Sequence, residues 1–300
     1  MTIIAFGQKY NLHRLILDRS PFFSSCFNGG PWKEASSSEI SITPEQSDSN
    51  ITQHAFELAL ARLYGHANEI EEEDHSLPLL AAASYLDLQD LAESCVASLL
   101  RNLRTSNIAK VLKFVTGSYY GHQTDRLLDS AKAMLYRDGW EMDMTEWDGI
   151  SGELAAEIIG FDGFYVPDEW LRYCFIKEII DWRICHAFGT DKISSGGEGF
   201  SIDDNISEDG TLEEHEADIK PLKDLLENGI YYMHMSFEEL QKIAEDRDVL
   251  RRPVVSADVI REALWYVSIL LWPPAHADYF ILKEPNATSA EGAQCPIALT

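Results

Sequence analysis

Cys185 and His186 stand side by side, the residue types of a thiolate–imidazole nucleophile pair. Neighbours in a helix do not face one another, and no third group is placed to orient the imidazole. The pair therefore reads as a buried cysteine beside a surface histidine. His234 lies between Met233 and Met235, donors that suit a soft metal, yet it reads as part of a short buried segment. Gly197-Glu198-Gly199 is the glycine-rich candidate for a phosphate loop. No strand pattern precedes it, no helix pattern follows, and the surrounding carboxylates would repel phosphate. Asp203, Asn205, Ser207 and Glu214 fall at the ligand spacing of a calcium loop, but Glu208 stands where the sharp turn needs glycine. No GxSxG elbow, HExxH helix or paired-cysteine zinc spacing occurs. These residues imply no catalytic site, no metal and no cofactor, and the chain reads as a non-enzyme.

The elements that carry these residues belong to a chain of 300 residues, a length that suits two domains. Apolar residues make up 45% of it, enough for a sizeable core, so wholesale disorder is excluded. The formal net charge of −26 repels phosphate backbones and anionic lipid, which argues against nucleic acid and membrane partners. Five cysteines without a CxxC pair imply free thiols in a reducing compartment. The start, MTIIAFGQKYNLH, lacks the basic and apolar blocks of a signal peptide. No apolar run reaches the ~18 residues of a membrane helix. The sequons at Asn50, Asn205 and Asn286 read as chance matches, and the expected compartment is the cytoplasm and/or the nucleus.

The first eighty residues mix strand and helix signals. Phe6, Tyr10 and Leu12 alternate as a short strand, a helix-turn-helix pattern broken at Pro21 follows, and Ile40 to Thr43 alternates again. A helix begins near Thr52, with Phe56, Ala59, Leu60, Leu63 and Tyr64 on one stripe. The acid run Glu69 to Asp74 reads as a solvated loop or frayed helix end. From Leu79 onward helical patterns follow each other closely, including one capped by Asp168 with Leu171, Cys174, Phe175 and Trp182 on its buried face. Residues 187–218 hold ten acidic residues against a single lysine and read as a disordered acidic insert. Helices resume with a Ser236–Glu239 capping box and a Ser256-capped helix buried through Ile260, Ala263, Leu264 and Val267. A flexible tail is expected from Pro273.

The order of the first hundred residues resembles the BTB/POZ domain. The blocks are YNLHRLILDRSPFFSSCF, AFELALARLYG and LPLLAAASYLDLQDLAESCVASLL, spanning His13–Leu17, Ser20–Phe23, Ala55–Gly65 and Leu79–Leu99. The helices over 106–183 resemble the BACK extension that follows BTB in many cullin adaptors, and YYMHMSFEELQKI and SADVIREALW look like its later helices. The ordering is also similar to germ-cell-less-like BTB proteins of fungi. The resemblance implies an α+β BTB/POZ domain over 1–105, followed by an all-α BACK-like domain. That second domain would run over 106–186 and 219–272, interrupted by the acidic insert at 187–218 and followed by the tail at 273–300. It implies a BTB core built from His13, Leu17, Phe22, Phe56, Leu60, Tyr64, Leu80 and Tyr85.

The resemblance also implies a protein-interaction adaptor, the substrate receptor of a cullin-RING ubiquitin ligase. The alternative is a BTB scaffold or transcriptional co-regulator that works without a ligase. The partners would be a cullin and an unidentified target, and the cullin would meet His66, His75, Ser76 and Leu77. Two departures stand out. The helix and strand that usually open the family's homodimer element have no counterpart before the first block, so the usual dimer is not expected, although another homo- or hetero-oligomer is open. The hydrophobic-x-acidic motif of cullin binders falls on His75, Ser76 and Leu77, which puts no acid at its third position.

Overall fold

A computed structural model describes residues 1–28, 37–187 and 211–270. Its amino-terminal part is a three-stranded sheet under helices. Strand β1 (Thr2–Ala5) pairs antiparallel with β2 (Gln8–Asn11) and parallel with β3 (Glu39–Ser41), giving the order β2-β1-β3. The register Ala5↔Gln8 leaves a two-residue turn, Phe6-Gly7, with φ of 51° and 70°. Positive φ at both central residues is the tight-turn geometry whose twist suits a hairpin. Glycine adopts it freely; Phe6 accepts it and gains an aromatic contact with Phe56, ring centroids 5.7 Å apart. Phe6 is thus a turn residue rather than part of the expected strand, and β1 is a strand that the alternation beginning at Phe6 leaves out.

Two short helices follow, α1 (Arg14–Leu17) and α2 (Pro21–Asn28). Pro21 opens α2, where its missing N–H costs nothing. Phe23 and Phe27 carry the buried face of α2. The buried Ser20 hydroxyl donates to the carbonyl of Leu86 at 2.6 Å, tying this corner to a later helix. After β3 come α3 (Pro44–Ser47), α4 (Gln53–Leu63), α5 (Glu69–Asp74), α6 (Ser76–Tyr85) and α7 (Gln89–Arg101). Thr52 caps α4 by accepting from the Ala55 N–H at 3.2 Å. The run Leu79 to Ala83 is buried all round α6, where three alanines let α4 and α7 approach.

The acid run, expected as a solvated loop or frayed helix end, is a short helix of its own with no buried residue. Glu69, Glu71 and Glu72 occupy the first turn of α5, where carboxylates favour the positive end of the helix dipole. Glu72 also meets Arg62 at 3.1 Å, an ion pair that links α5 to α4.

The remaining helices are α8 (Thr105–Gly117), α9 (Gln123–Asp138), α10 (Met144–Trp147), α11 (Gly152–Gly160), α12 (Glu169–Ala187), α13 (Thr211–Asn228), α14 (Phe237–Glu245) and α15 (Ala257–Leu270). Helix α9 packs on both α7 and α8, which carries the amino-terminal core into the helical region. Asp48 and Asn50 add a polar joint there: Asn50 donates to the Tyr120 hydroxyl at 2.7 Å, which donates to Asp48 at 2.6 Å. Tyr120 itself stacks on Phe114, centroids 4.4 Å apart.

Asp168 caps α12 through the Leu171 N–H at 2.7 Å, but the buried stripe differs from the expected one. Leu171, Cys174 and Trp182 are only half-buried, while Arg172, Tyr173, Phe175, Ile176, Ile179, Ile180, Arg183 and Ile184 are buried. Both arginines find partners inside: Arg172 donates to the Ile159 carbonyl at 3.1 Å, although its buried Nε makes no hydrogen bond, and Arg183 donates to the Ile150 carbonyl at 2.6 Å.

Most of the acidic segment, 188–210, lies outside the described residues, as does the tail from 273. Its last part, 211–218, belongs to α13, because Asp218 anchors that helix against Arg183. The capping box at Ser236 and Glu239 is present, with both bonds made. Ser256 instead turns its hydroxyl to Glu227 at 2.8 Å, and Leu264 is half-buried beside buried Ile260, Ala263 and Val267.

Candidate functional site

The rim between α4 and α6 is built from a helix stop and an acidic turn. Gly65, with φ of 79°, ends α4; its N–H donates to the Arg62 carbonyl at 2.9 Å and the His66 N–H to the Ala61 carbonyl at 3.0 Å. This pair of bonds is a Schellman stop, and it requires a left-handed residue that glycine supplies. The stop turns the chain outward, so His66 is exposed. Helix α5 then presents Ile70, 75% exposed, between exposed Glu69 and Glu71. Glu73 accepts a hydrogen bond from Asn102, so α5 is held against α7 as well as α4.

The expected contact residues separate here. His66 lies on the surface, while His75 is half-buried and sits edge-on to His54, ring centroids 4.7 Å apart. Ser76 is buried and Leu77 packs half-buried against the core, because both belong to the first turn of α6. The accessible rim is therefore His66 and α5, with Ser76 closed off.

The expected core residues also divide. Leu17, Phe56 and Leu80 are fully buried and Leu60 nearly so, whereas Phe22 and Tyr85 are half-buried and pack on each other, ring centroids 4.9 Å apart. His13 and Tyr64 lie at the surface instead of in the core. Tyr64 is the cap residue of α4, and the stop at Gly65 leaves it outside the buried stripe. Its hydroxyl accepts from the His13 N–H at 2.8 Å and lies 3.1 Å from His13 Nδ1.

This pair closes one end of a groove that sequence reasoning missed, between β2 and α4. It is lined by Tyr10, Asn11, Leu12, His13, Glu57, Leu60, Ala61 and Tyr64 and holds about 360 Å³. Tyr10 donates to Glu57 Oε1 at 2.9 Å. Burial and then the carboxylate acceptor push the Tyr10 phenol up to about 12. The signal for the groove was the spacing of Glu57, Ala61 and Tyr64, a partly exposed helical stripe beside the buried one.

The residues weighed for catalysis do not come together. Cys185 is half-buried rather than buried, and exposed His186 stacks on Trp182, centroids 5.6 Å apart. His234 is exposed and stacks on Tyr231 at 5.7 Å; the short segment around it is buried only in part, through Tyr232 and Met235, while Met233 is exposed. Among the described residues no three His, Cys, Asp or Glu side chains gather as a metal site. The Gly197-Glu198-Gly199 stretch and Asp203, Asn205, Ser207 and Glu208 lie outside the described residues, and Glu214 falls within α13. No helix among the described residues is long and apolar enough to cross a membrane.

The sheet order β2-β1-β3 under α4, α6 and α7 is the frame that carries the rim and the groove. Residues 1–103 match the BTB/POZ domain family, and this part of the chain is a BTB/POZ domain. Among curated proteins the chain is similar to Germ cell-less protein-like 1 of Homo sapiens. They are 33% identical over 131 residues, which cover 43% of this chain and 23% of that protein. It is also similar to the protein germ cell-less of Drosophila melanogaster, 29% identical over 103 residues, covering 34% and 17%. A BTB/POZ domain-containing protein of Arabidopsis thaliana is 34% identical over 143 residues, covering 46% and 39%. The chain spans less than a quarter of the length of these germ cell-less relatives.

Proposed function

We propose that this chain is a protein-interaction adaptor that serves as the substrate receptor of a cullin-RING ubiquitin ligase. The BTB/POZ domain meets the cullin, and a BACK-like region over 106–186 and 219–272 sets the position of a captured target in the cytoplasm and/or nucleus. The observation that supports this most is the packing of α7 onto α9, which joins the BTB/POZ domain to a helical extension. The cullin contact in this reading is the rim from His66 to Asp74, centred on exposed Ile70.

Titration of a purified cullin amino-terminal domain against the chain and its Ile70→Asp variant tests the reading. Burying an isoleucine contributes about 1.5–3 kcal/mol, so the variant binds about tenfold or more weakly. Failure of the folded wild-type chain to bind overturns the ligase role. The second reading, a BTB scaffold or transcriptional co-regulator without a ligase, is favoured by Leu77 standing where cullin binders carry an acid and by the burial of Ser76.

A further inference from the structure

We propose that the groove between β2 and α4 docks an extended segment of a partner protein. The segment adds a strand to the β2 edge and carries an apolar and a basic side chain two residues apart, facing α4. Strand β2 is an edge of the described sheet. Leu12 donates to the Met1 carbonyl at 2.8 Å and the Met1 ammonium to the Leu12 carbonyl at 2.9 Å, so these two residues form a hydrogen-bonded pair. Antiparallel pairs alternate, which makes Ile3–Tyr10 and Ala5–Gln8 the next bonded pairs. The N–H and C=O groups of Lys9 and Asn11 therefore point away from β1, at the open edge. Such an edge is the template for strand addition.

Helix α4 runs beside this edge in the same direction. Tyr10 touches Glu57 and His13 touches Tyr64. From Tyr10 to His13 an extended chain advances about 10 Å, and from Glu57 to Tyr64 a helix advances about 10 Å. The two stay in step along the groove. Glu57 and Ala61 are one helical turn apart, about 6 Å along the axis, and alternate side chains of a strand repeat at about 6.7 Å. An added strand that sets one side chain over Ala61 thus sets its same-face neighbour over Glu57.

The two positions differ in chemistry. Ala61 is small and lies beside nearly buried Leu60, leaving a shallow apolar floor. Glu57 receives hydrogen bonds from Tyr10 and Gln53, each 2.9 Å, and no lysine or arginine pairs with it among the described residues. Its charge, within a chain of net charge −26, selects a basic side chain. Lys9 does not oppose this, because its ammonium reaches Glu39 at 3.3 Å on the other face of the sheet. The groove is distinct from the rim at His66 to Asp74, so a chain that binds no cullin leaves this inference standing.

Fluorescence anisotropy with two labelled heptapeptides tests it on the full chain. The probe is Thr-Leu-Thr-Arg-Thr-Val-Thr, with leucine and arginine on one face. The control, Thr-Thr-Leu-Arg-Val-Thr-Thr, has the same composition with both apolar residues on the face opposite arginine. The in-phase peptide is expected to bind at least tenfold more tightly. Glu57→Gln, which still accepts from Tyr10, and Ala61→Arg, which fills the groove, are each expected to lose tenfold or more with unchanged melting. Methylating the probe's nitrogens along one edge abolishes binding. Equal affinity for the two peptides, wild-type affinity in Ala61→Arg, or no binding at millimolar peptide overturns the proposal.

Discussion

The guanidinium of Arg183 on α12 meets the carboxylate of Asp218 on α13 at 2.5 Å, and the same carboxylate accepts the Gly152 N–H that opens α11. Arg183 also donates to the Ile150 carbonyl, so one buried side chain holds three helices. A Cβ on Gly152 would come within 1.6 Å of the Asp218 carbonyl oxygen. Only the absence of a side chain allows this crossing.

Asp218→Ala is expected to destabilise the protein by about 2 kcal/mol, measured by urea unfolding. Breaking a fully buried ion pair costs ~3–5 kcal/mol. The expected loss is smaller because Asp218 keeps 40% of its side-chain surface in water, where solvent can take its place. Gly152→Ala should cost more than Asp218→Ala, because backbone must move. A neutral result for both would mean that the three helices are not held here.

Phe56→Ala removes a fully buried ring that touches both Phe6 and Tyr10. A loss of about 3–5 kcal/mol is expected, a large part of a typical 5–15 kcal/mol stability. Chemical denaturation of the variant checks this, and unchanged stability would place the helix face elsewhere.

Tyr10 and Tyr120 are both pushed up to about 12, by burial first and then by their carboxylate acceptors Glu57 and Asp48. Above about pH 10 an unfolded chain gives up these protons while the folded one keeps them. Stability is therefore full below about pH 10 and falls as the pH rises toward 12. Phenolate absorbance followed against pH should show late-ionising components, and Tyr120→Phe should remove one of them.

The Cys95 thiol is pushed up to about 12, mainly by burial and further by nearby Glu72. The thiolate is the reactive form. Iodoacetamide at about pH 8 should leave Cys95 unmodified in the folded protein and alkylate it after denaturation. Mass spectrometry of the tryptic peptide reads the difference.

The helix from Gln53 was legible because cap and stripe agree: Thr52 precedes it, and Phe56, Ala59, Leu60 and Leu63 recur at helical spacing and are buried. Tyr64 fits the same spacing but sits past the last helical residue, where a turn geometry set by Gly65 decides its exposure. Helix α12 misled for another reason. Apolar residues surround it, so spacing alone cannot choose a face, and the buried face contains two arginines that donate to the carbonyls of Ile150 and Ile159, distant in sequence. The acid run reads as a solvated loop or frayed helix end because like charges repel locally; Arg62 and Asn102, which hold it as a helix, are contributed by α4 and by the residue capping α7. At the rim, the resemblance supplied positions for contact, but whether Ser76 and Leu77 reach the surface depends on where α6 begins, which no motif states.

The apolar interior runs as one connected cluster from Ile3 to Val267, crossing residue 103 where the BTB/POZ match ends. A boundary that is sharp in sequence comparison is therefore not a seam in the folded chain. Cutting there would strip α9 from α7 and break the Asn50–Tyr120–Asp48 joint, uncovering the face of α7 that packs on α9. Calorimetry of the intact chain should show these two regions melting in a single cooperative transition, and the excised fragment should be prone to self-association.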